Sequence, residues 1–236
     1  YTADNLLQAC DIVRKNTITQ ALILAGGKGE RLMPLTDSLP KPMLPVAGRP
    51  LLEWQMLSLK KHGVTNVVIC ASYLSDKIKD YFGSEWNGIK ISYPEEKVPL
   101  GTGGAITNCV DLLDENFLVI NGDVANLIDF SSIIDFHLSK NALATLVVRH
   151  SDHPKDSDIL DIDKNCHVIK FIGKGQEEKK LANTGIFALN KKIIENIPNG
   201  FSTLEKDVIV KHFEKDMSSK DVGAHNIFAY ISEEYI

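Results

Sequence analysis

Apolar residues run almost unbroken from Ala21 to Ala25, within Asn66 to Cys70, and from Phe117 to Asn121. Each run is short enough for a strand, and apolar on both alternating faces, which predicts strands buried on two sides. Between the first two, Pro50 stands where a first helical residue should. Leu51, Leu52, Trp54, Leu57 and Leu59 follow at helical spacing until Gly63 ends the pattern. A short helix from Asp76 to Phe82 and a strand from Ile89 to Tyr93 complete a β-α-β-α-β alternation. That order predicts an α/β fold whose mostly parallel sheet is covered by helices on both faces.

Further along, a helix is expected from the glycines at 101–104 through Leu113, and a strand ending at Val147-Val148-Arg149-His150. Ile159 to Asp163 and Cys166 to Ile172 read as a hairpin around Asp163-Lys164-Asn165. Leu181 to Phe187 reads as a strand, and Thr203-Leu204-Glu205-Lys206-Asp207 as the capped start of a last long helix. Ahead of all this, Leu6, Leu7, Cys10, Ile12 and Val13 follow Asp4 in an amphipathic helical pattern. Residues 1–19 are therefore expected to be a helical extension or the remnant of an upstream segment, and residues 20–236 a single domain.

With 236 residues, 44% of them apolar, the chain can bury a sizeable core. A net charge of -5 gives no basic footprint for nucleic acid, so any anionic small substrate must be met by local cations. Cys10, Cys70, Cys109 and Cys166 have no C-x-x-C spacing and suggest neither a zinc site nor a disulfide framework. No apolar run reaches the length of a membrane span, and no charged-then-apolar signal opens the chain. A cytoplasmic enzyme, with no membrane partner, is the expectation.

The first strand breaks at once into Gly26, Gly27 and Gly29, which lack the Cβ that would hold a phosphate off the backbone N–H groups. Lys28, Arg31 and Lys41 follow within a dozen or so residues, the last held between Pro40 and Pro42. Cations thus stand over a cradle for anions. The cradle is no P-loop, because Gly29 follows Lys28 where Ser or Thr is needed. Nor does it make a dinucleotide fingerprint: Leu32 replaces the third small residue, and Cys70-Ala71-Ser72 stands where an acid should end the second strand.

Leu-Ala-Gly-Gly-Lys-Gly-Glu-Arg-Leu at 24–32, with Pro34-Leu35-Thr36 and Pro40-Lys41-Pro42-Met43-Leu44-Pro45, resembles the amino-terminal motif of the sugar-1-phosphate nucleotidyltransferases. The resemblance covers roughly residues 20 to 236. It implies a Rossmann-like, glycosyltransferase-A-like sheet. On it, Leu24, Ala25, Gly26, Gly27, Gly29 and Arg31 would hold a nucleoside triphosphate, and Pro99, Gly101 and Thr102 would meet its base and ribose. Lys41 would face the phosphates near the reacting centre, and Asp123, after Gly122 at a strand end, would hold Mg²⁺. Lys174 would bind the sugar phosphate, with Asn183, Thr184 and Glu205 in the sugar pocket.

Two departures stand out. Gly173-Lys174-Gly175 replaces the family's Glu-Lys-Pro, and the sequence stops at Tyr235-Ile236, before the Asp-x-Gly-Thr-Pro stretch that supplies a second metal ligand. The expectation is a domain cut short just ahead of that ligand. Within the family, the loops most resemble the branch that transfers guanylyl groups to mannose or manno-heptose 1-phosphate, so GTP and the heptose are favoured. A uridylyl- or thymidylyltransferase for glucose or an amino-sugar 1-phosphate is the runner-up. From another class, a non-catalytic nucleotide-sugar sensor or regulatory subunit stays open, as does assembly into a homo-oligomer.

Overall fold

The computed structural model describes residues 17–96, 98–125, 128–151, 153, 155–175, 180–198, 200–211 and 226–233. The helix expected ahead of residue 17, most of the charged stretch after Gly175, and Tyr235-Ile236 lie outside them. The strands are β1 (Gln20–Leu24), β2 (Pro45–Val46), β3 (Arg49–Pro50), β4 (Asn66–Cys70), β5 (Glu85–Trp86) and β6 (Ile89–Ser92). They continue as β7 (Asn116–Asn121), β8 (Ala144–His150), β9 (Ile159–Ile162), β10 (Val168–Gly173), β11 (Leu181–Asn190) and β12 (Ile227–Ile231). The helices are α1 (Leu51–Lys61), α2 (Ser75–Phe82), α3 (Gly101–Asn108) and α4 (Phe130–Ser139).

One ten-stranded sheet runs β10-β9-β11-β7-β1-β4-β6-β5, with β8 beside β11 and β12 beside β8. Its centre is parallel: β1 pairs with β4 and β7, and β4 with β6. Antiparallel pairing enters where β11 joins β7 and β8. The sheet is thus mixed and mostly parallel at its middle, as the alternation of elements required. Alternate residues of the central strands feed two separate cores. Ala21, Ile23, Ile69 and Ile120 pack with Leu52, Met56 and Phe130 on one face. Leu22, Val68 and Val119 pack with Ile106, Leu204 and Val208 on the other. Both faces are covered, which is why these strands carry no polar alternation.

Two expectations are corrected, and the β9–β10 hairpin joins the main sheet through β11. β11 is ten residues long and its pairing is irregular between Asn183 and Phe187, so its start pairs with β9 and its later part with β7. The helix expected to reach Leu113 ends at Asn108, because Cys109 leaves helical geometry (φ -115°, ψ 16°) and a tighter 3₁₀ turn takes Val110–Leu112. The last helix begins as a π-helical run, Leu204–Val210, wider than an α-helix. At its entry the Thr203 side chain caps no backbone N–H, contrary to the capped start expected. Instead Asp207 Oδ2 accepts from both the Thr203 N–H and Oγ1. No helix among the described residues is long and apolar enough to cross a membrane.

Candidate active site

The C-terminal ends of three parallel strands are stitched side by side. The Ala25 N–H donates to the Cys70 carbonyl at 2.8 Å and the Gly122 N–H to the Leu24 carbonyl at 2.8 Å. Loops leaving β1, β4 and β7 therefore converge, at the place where open α/β sheets receive ligands. The first loop, Gly26 to Gly29, is braced from below. Ser72 Oγ donates to the Gly26 carbonyl at 3.0 Å, and fully buried Thr36 donates to the Gly29 carbonyl at 3.1 Å. Gly29 itself sits at φ +65°, where a Cβ would stand 3.0 Å from Thr36 Cγ2.

Lys41 opens a 3₁₀ turn behind extended Pro40, and its Nζ lies 2.6 Å from Asp123 Oδ2. Asp123 occupies the turn after β7. That turn is held by Gln55, a fully buried side chain on α1, whose Nε2 donates to the carbonyls of Asn121 (3.0 Å) and Val124 (2.6 Å).

The second glycine loop is fastened to a segment about a hundred residues later. The Ser202 N–H donates to the Leu100 carbonyl and the Gly103 N–H returns a bond to the Ser202 carbonyl, both at 2.9 Å. Thr102 Oγ1 accepts from the Leu204 N–H at 2.8 Å and contacts Glu205 Oε2 at 3.4 Å. Glu96 anchors the loop's start, its Oε1 accepting from the Leu100 N–H at 2.9 Å.

Between the two loops lies a cleft of about 930 Å³. That is large enough for a nucleotide with a second small substrate. Leu24, Ala25, Gly26, Gly27, Gly29, Arg31, Lys41, Pro99, Gly101, Thr102 and Asp123 all line it. Lys174, Asn183, Thr184 and Glu205 are not among its lining residues. Thr184 Oγ1 is committed to the Val147 carbonyl at 2.8 Å, and Asn183 Oδ1 accepts from the Gly185 N–H. Glu205 adjoins the cleft through Thr102. Burial pushes its carboxyl above the usual range, helped by Asp158, while the Thr102 hydroxyl and the Lys174 charge pull the other way. Lys174 is therefore close enough to Glu205 for its charge to be felt there.

The lining also includes residues that sequence reasoning passed over: Glu96, Asn121, Ser72 and Phe201. Glu96 stands in Pro94-Glu95-Glu96-Lys97, a polar stretch in which no motif singles it out. Gln55 had a legible signal, since it shares the buried face of α1 with Leu52, Met56 and Leu59 and an amide there must find partners.

The charged side chains of the lining balance: Lys28, Arg31 and Lys41 against Glu30, Glu96 and Asp123. A triphosphate entering this neutral cleft would need further positive charge. Asp123, with phosphate oxygens completing the shell, is a donor set that suits Mg²⁺, which takes few protein carboxylates. Among the described residues no cluster of three or more His, Cys, Asp or Glu could hold a metal without such help. Cys70 and Cys109 are buried free thiols 3.9 Å apart, and hydrogen bonding to Cys109, with burial, pushes the Cys70 thiol up, which makes it a poor nucleophile.

Residues 20–230 match the nucleotidyl transferase family. The chain belongs to that family. It is 33% identical over 92% of its length to a D-glycero-alpha-D-manno-heptose 1-phosphate guanylyltransferase of Aneurinibacillus thermoaerophilus, covering 90% of that protein. A protein of the same name from Campylobacter jejuni is 37% identical over 79% of the chain and 81% of its own length. The crystal structure of HddC from Yersinia pseudotuberculosis complexed with GMP-PN superposes with a TM-score of 0.73 at 30% identity, covering 92% of each chain. In this nucleotidyl transferase the glycine loop, Lys41 and Asp123 meet at one cleft.

Proposed function

We propose that this sugar-1-phosphate nucleotidyltransferase joins GTP to a manno-configured sugar 1-phosphate, with manno-heptose favoured over mannose, giving a GDP-sugar and pyrophosphate. The observation that carries the reading is a single cleft in which a phosphate cradle with Arg31, Lys41 and Asp123 faces a loop anchored by the Glu96 carboxylate. Guanine presents two adjacent donors, N1–H and the N2 amine, that one carboxylate can accept together. Uracil and thymine present a single N–H between two carbonyls, which a carboxylate repels. The names of the Aneurinibacillus and Campylobacter relatives support the same base and sugar.

In the reaction a sugar-phosphate oxygen attacks the α-phosphorus of GTP, and the bond from that phosphorus to the bridging oxygen breaks, so pyrophosphate leaves with the electron pair. The nucleophile is already an anion, so no side-chain base is required. The protein's task is to position two polyanions and stabilise the charge that moves. Arg31 is assigned the triphosphate and the leaving pyrophosphate. Lys41 exchanges Asp123 for a phosphate oxygen near the reacting centre. Lys174 is assigned the sugar phosphate, with Asn183, Thr184 and Glu205 toward the sugar. Mg²⁺ held by Asp123 would supply charge neutralisation on the phosphates. The catalytic residues belong to the domain that begins near residue 20, and the enzyme is assigned to the cytoplasm.

The test is pyrophosphate release by the purified chain with Mg²⁺, pairing GTP, UTP, dTTP, CTP and ATP with mannose, manno-heptose, glucose and N-acetylglucosamine 1-phosphates. Release with GTP and manno-heptose 1-phosphate is expected. Release only with UTP or dTTP and a glucose-type sugar would replace the base and sugar assignments. Tight nucleotide-sugar binding with no release from any pair would make the chain a sensor.

A further inference from the structure

Phe201 has 71% of its surface exposed, the highest value among the large apolar side chains described. It is nevertheless part of the cleft wall, opposite the phosphate cradle. The residue that follows it is held through both its N–H and its carbonyl. The Ser202 N–H bonds the Leu100 carbonyl, the Ser202 carbonyl accepts from Gly103, and Ser202 is fully buried. The ring lies along Gly101, where a Cβ would come within 3.2 Å of Phe201 Cε2 and within 2.4 Å of the Ser202 carbonyl. Glycine at 101, at φ +72°, thus lets this segment lie directly against the loop. A firmly mounted aromatic face is left open to the cleft, beside the same loop that Glu96 anchors through Leu100.

A lone exposed aromatic is ordinary on a surface, but one mounted in the wall of a ligand cleft offers the flat face against which a planar ring stacks. Stacking is indifferent to which base is present, because each has a π-face, whereas a carboxylate reads the edge. We infer that Phe201 is the stacking wall for the nucleobase of the bound nucleotide, working beside Glu96, which selects its edge. The inference rests on the nucleotide-binding reading above. It adds a residue in direct contact with substrate, about a hundred positions from the glycine loop that resembles the family's base-binding segment.

The experiment measures calorimetric binding of GDP, UDP and pyrophosphate to the wild-type chain and to Phe201→Ala, Phe201→Leu and Phe201→Tyr. The expected result is GDP binding weakened by about tenfold in the Ala variant, less in Leu, with Tyr near wild type and pyrophosphate affinity changed by less than about twofold throughout. Melting temperatures should stay level, since the replaced side chain is exposed. Unchanged GDP affinity in Phe201→Ala overturns the inference, and so does a pyrophosphate affinity that falls as far as that for GDP, which would place the loss on the phosphates rather than the base. If the wild type prefers UDP and Phe201→Ala weakens UDP, stacking stands and the guanine assignment falls. A wild-type chain that binds no nucleotide overturns both.

Discussion

Lys41 Nζ and Asp123 Oδ2 lie 2.6 Å apart, although 82 residues separate them in sequence. The pair joins the two segments most directly implicated in phosphate chemistry, and each partner is partly open to the cleft, at 28% and 44% of its side-chain surface. The lysine's charge thus rests on the carboxylate proposed for Mg²⁺.

Lys41→Ala should therefore cost catalysis far more than folding. By analogy with loss of one transition-state donor, kcat should fall by about 10²–10³, or about 2.7–4 kcal/mol of barrier. Because the ion pair is solvent-screened, unfolding free energy should change by no more than about 1 kcal/mol. Steady-state kinetics with urea unfolding tests both, and near-normal turnover in a folded variant would remove Lys41 from the reacting centre.

Gln55→Leu addresses the support beneath Asp123. The variant leaves the carbonyls of Asn121 and Val124 without their amide donor. Stability should drop by about 2 kcal/mol, in line with buried acceptors left unpaired. If the turn also positions Asp123, the Mg²⁺ concentration for half-maximal turnover should rise. A destabilised variant with an unchanged Mg²⁺ requirement would make Gln55 purely structural.

Two glycines of the first loop should separate fold from function. A Cβ at Gly27 meets nothing within 4 Å, whereas one at Gly29 meets Thr36 and Lys41 at a positive φ of 65°. Gly29→Ala should lower stability by about 1–3 kcal/mol through backbone strain. Gly27→Ala should melt like wild type yet bind nucleotide more weakly, because the added methyl occupies space that a phosphate would use. Equal nucleotide affinity in Gly27→Ala and wild type would place the triphosphate elsewhere.

His137 should make stability depend on pH. It is buried, bonded to Thr145 and Asn116, and burial lowers its pKa from 6.5 to about 4. The neutral imidazole is the native form. Its stabilising effect is present in full above the unfolded value and is lost as pH falls toward the folded one, since the unfolded chain binds the proton more readily. Urea unfolding should show about 2 kcal/mol lost on this account between pH ~7 and pH ~5. His137→Gln should flatten that part of the profile, and an identical slope in the variant would rule the residue out as its source.

The central strands were legible before any coordinates. Asn66–Cys70 is β4 residue for residue, and the runs at 21–25 and 117–121 differ from β1 and β7 by one position. Short apolar runs declare two-sided burial locally, and the glycine loop with Lys41 and the Gly122-Asp123 step is a pattern of near neighbours. Sequence alone therefore determined the fold class, the family and one wall of the cleft. Tertiary structure decided the rest. The Lys41–Asp123 pair, the hold of Gln55 on the Asp123 turn and the seat of Phe201 against Gly101 join residues that only the packing of the sheet and its covering layers brings together. Hydropathy tells a residue which way to face. Which distant side chain it finds there is set by strand order and by the irregular register of β11, whose start pairs with β9.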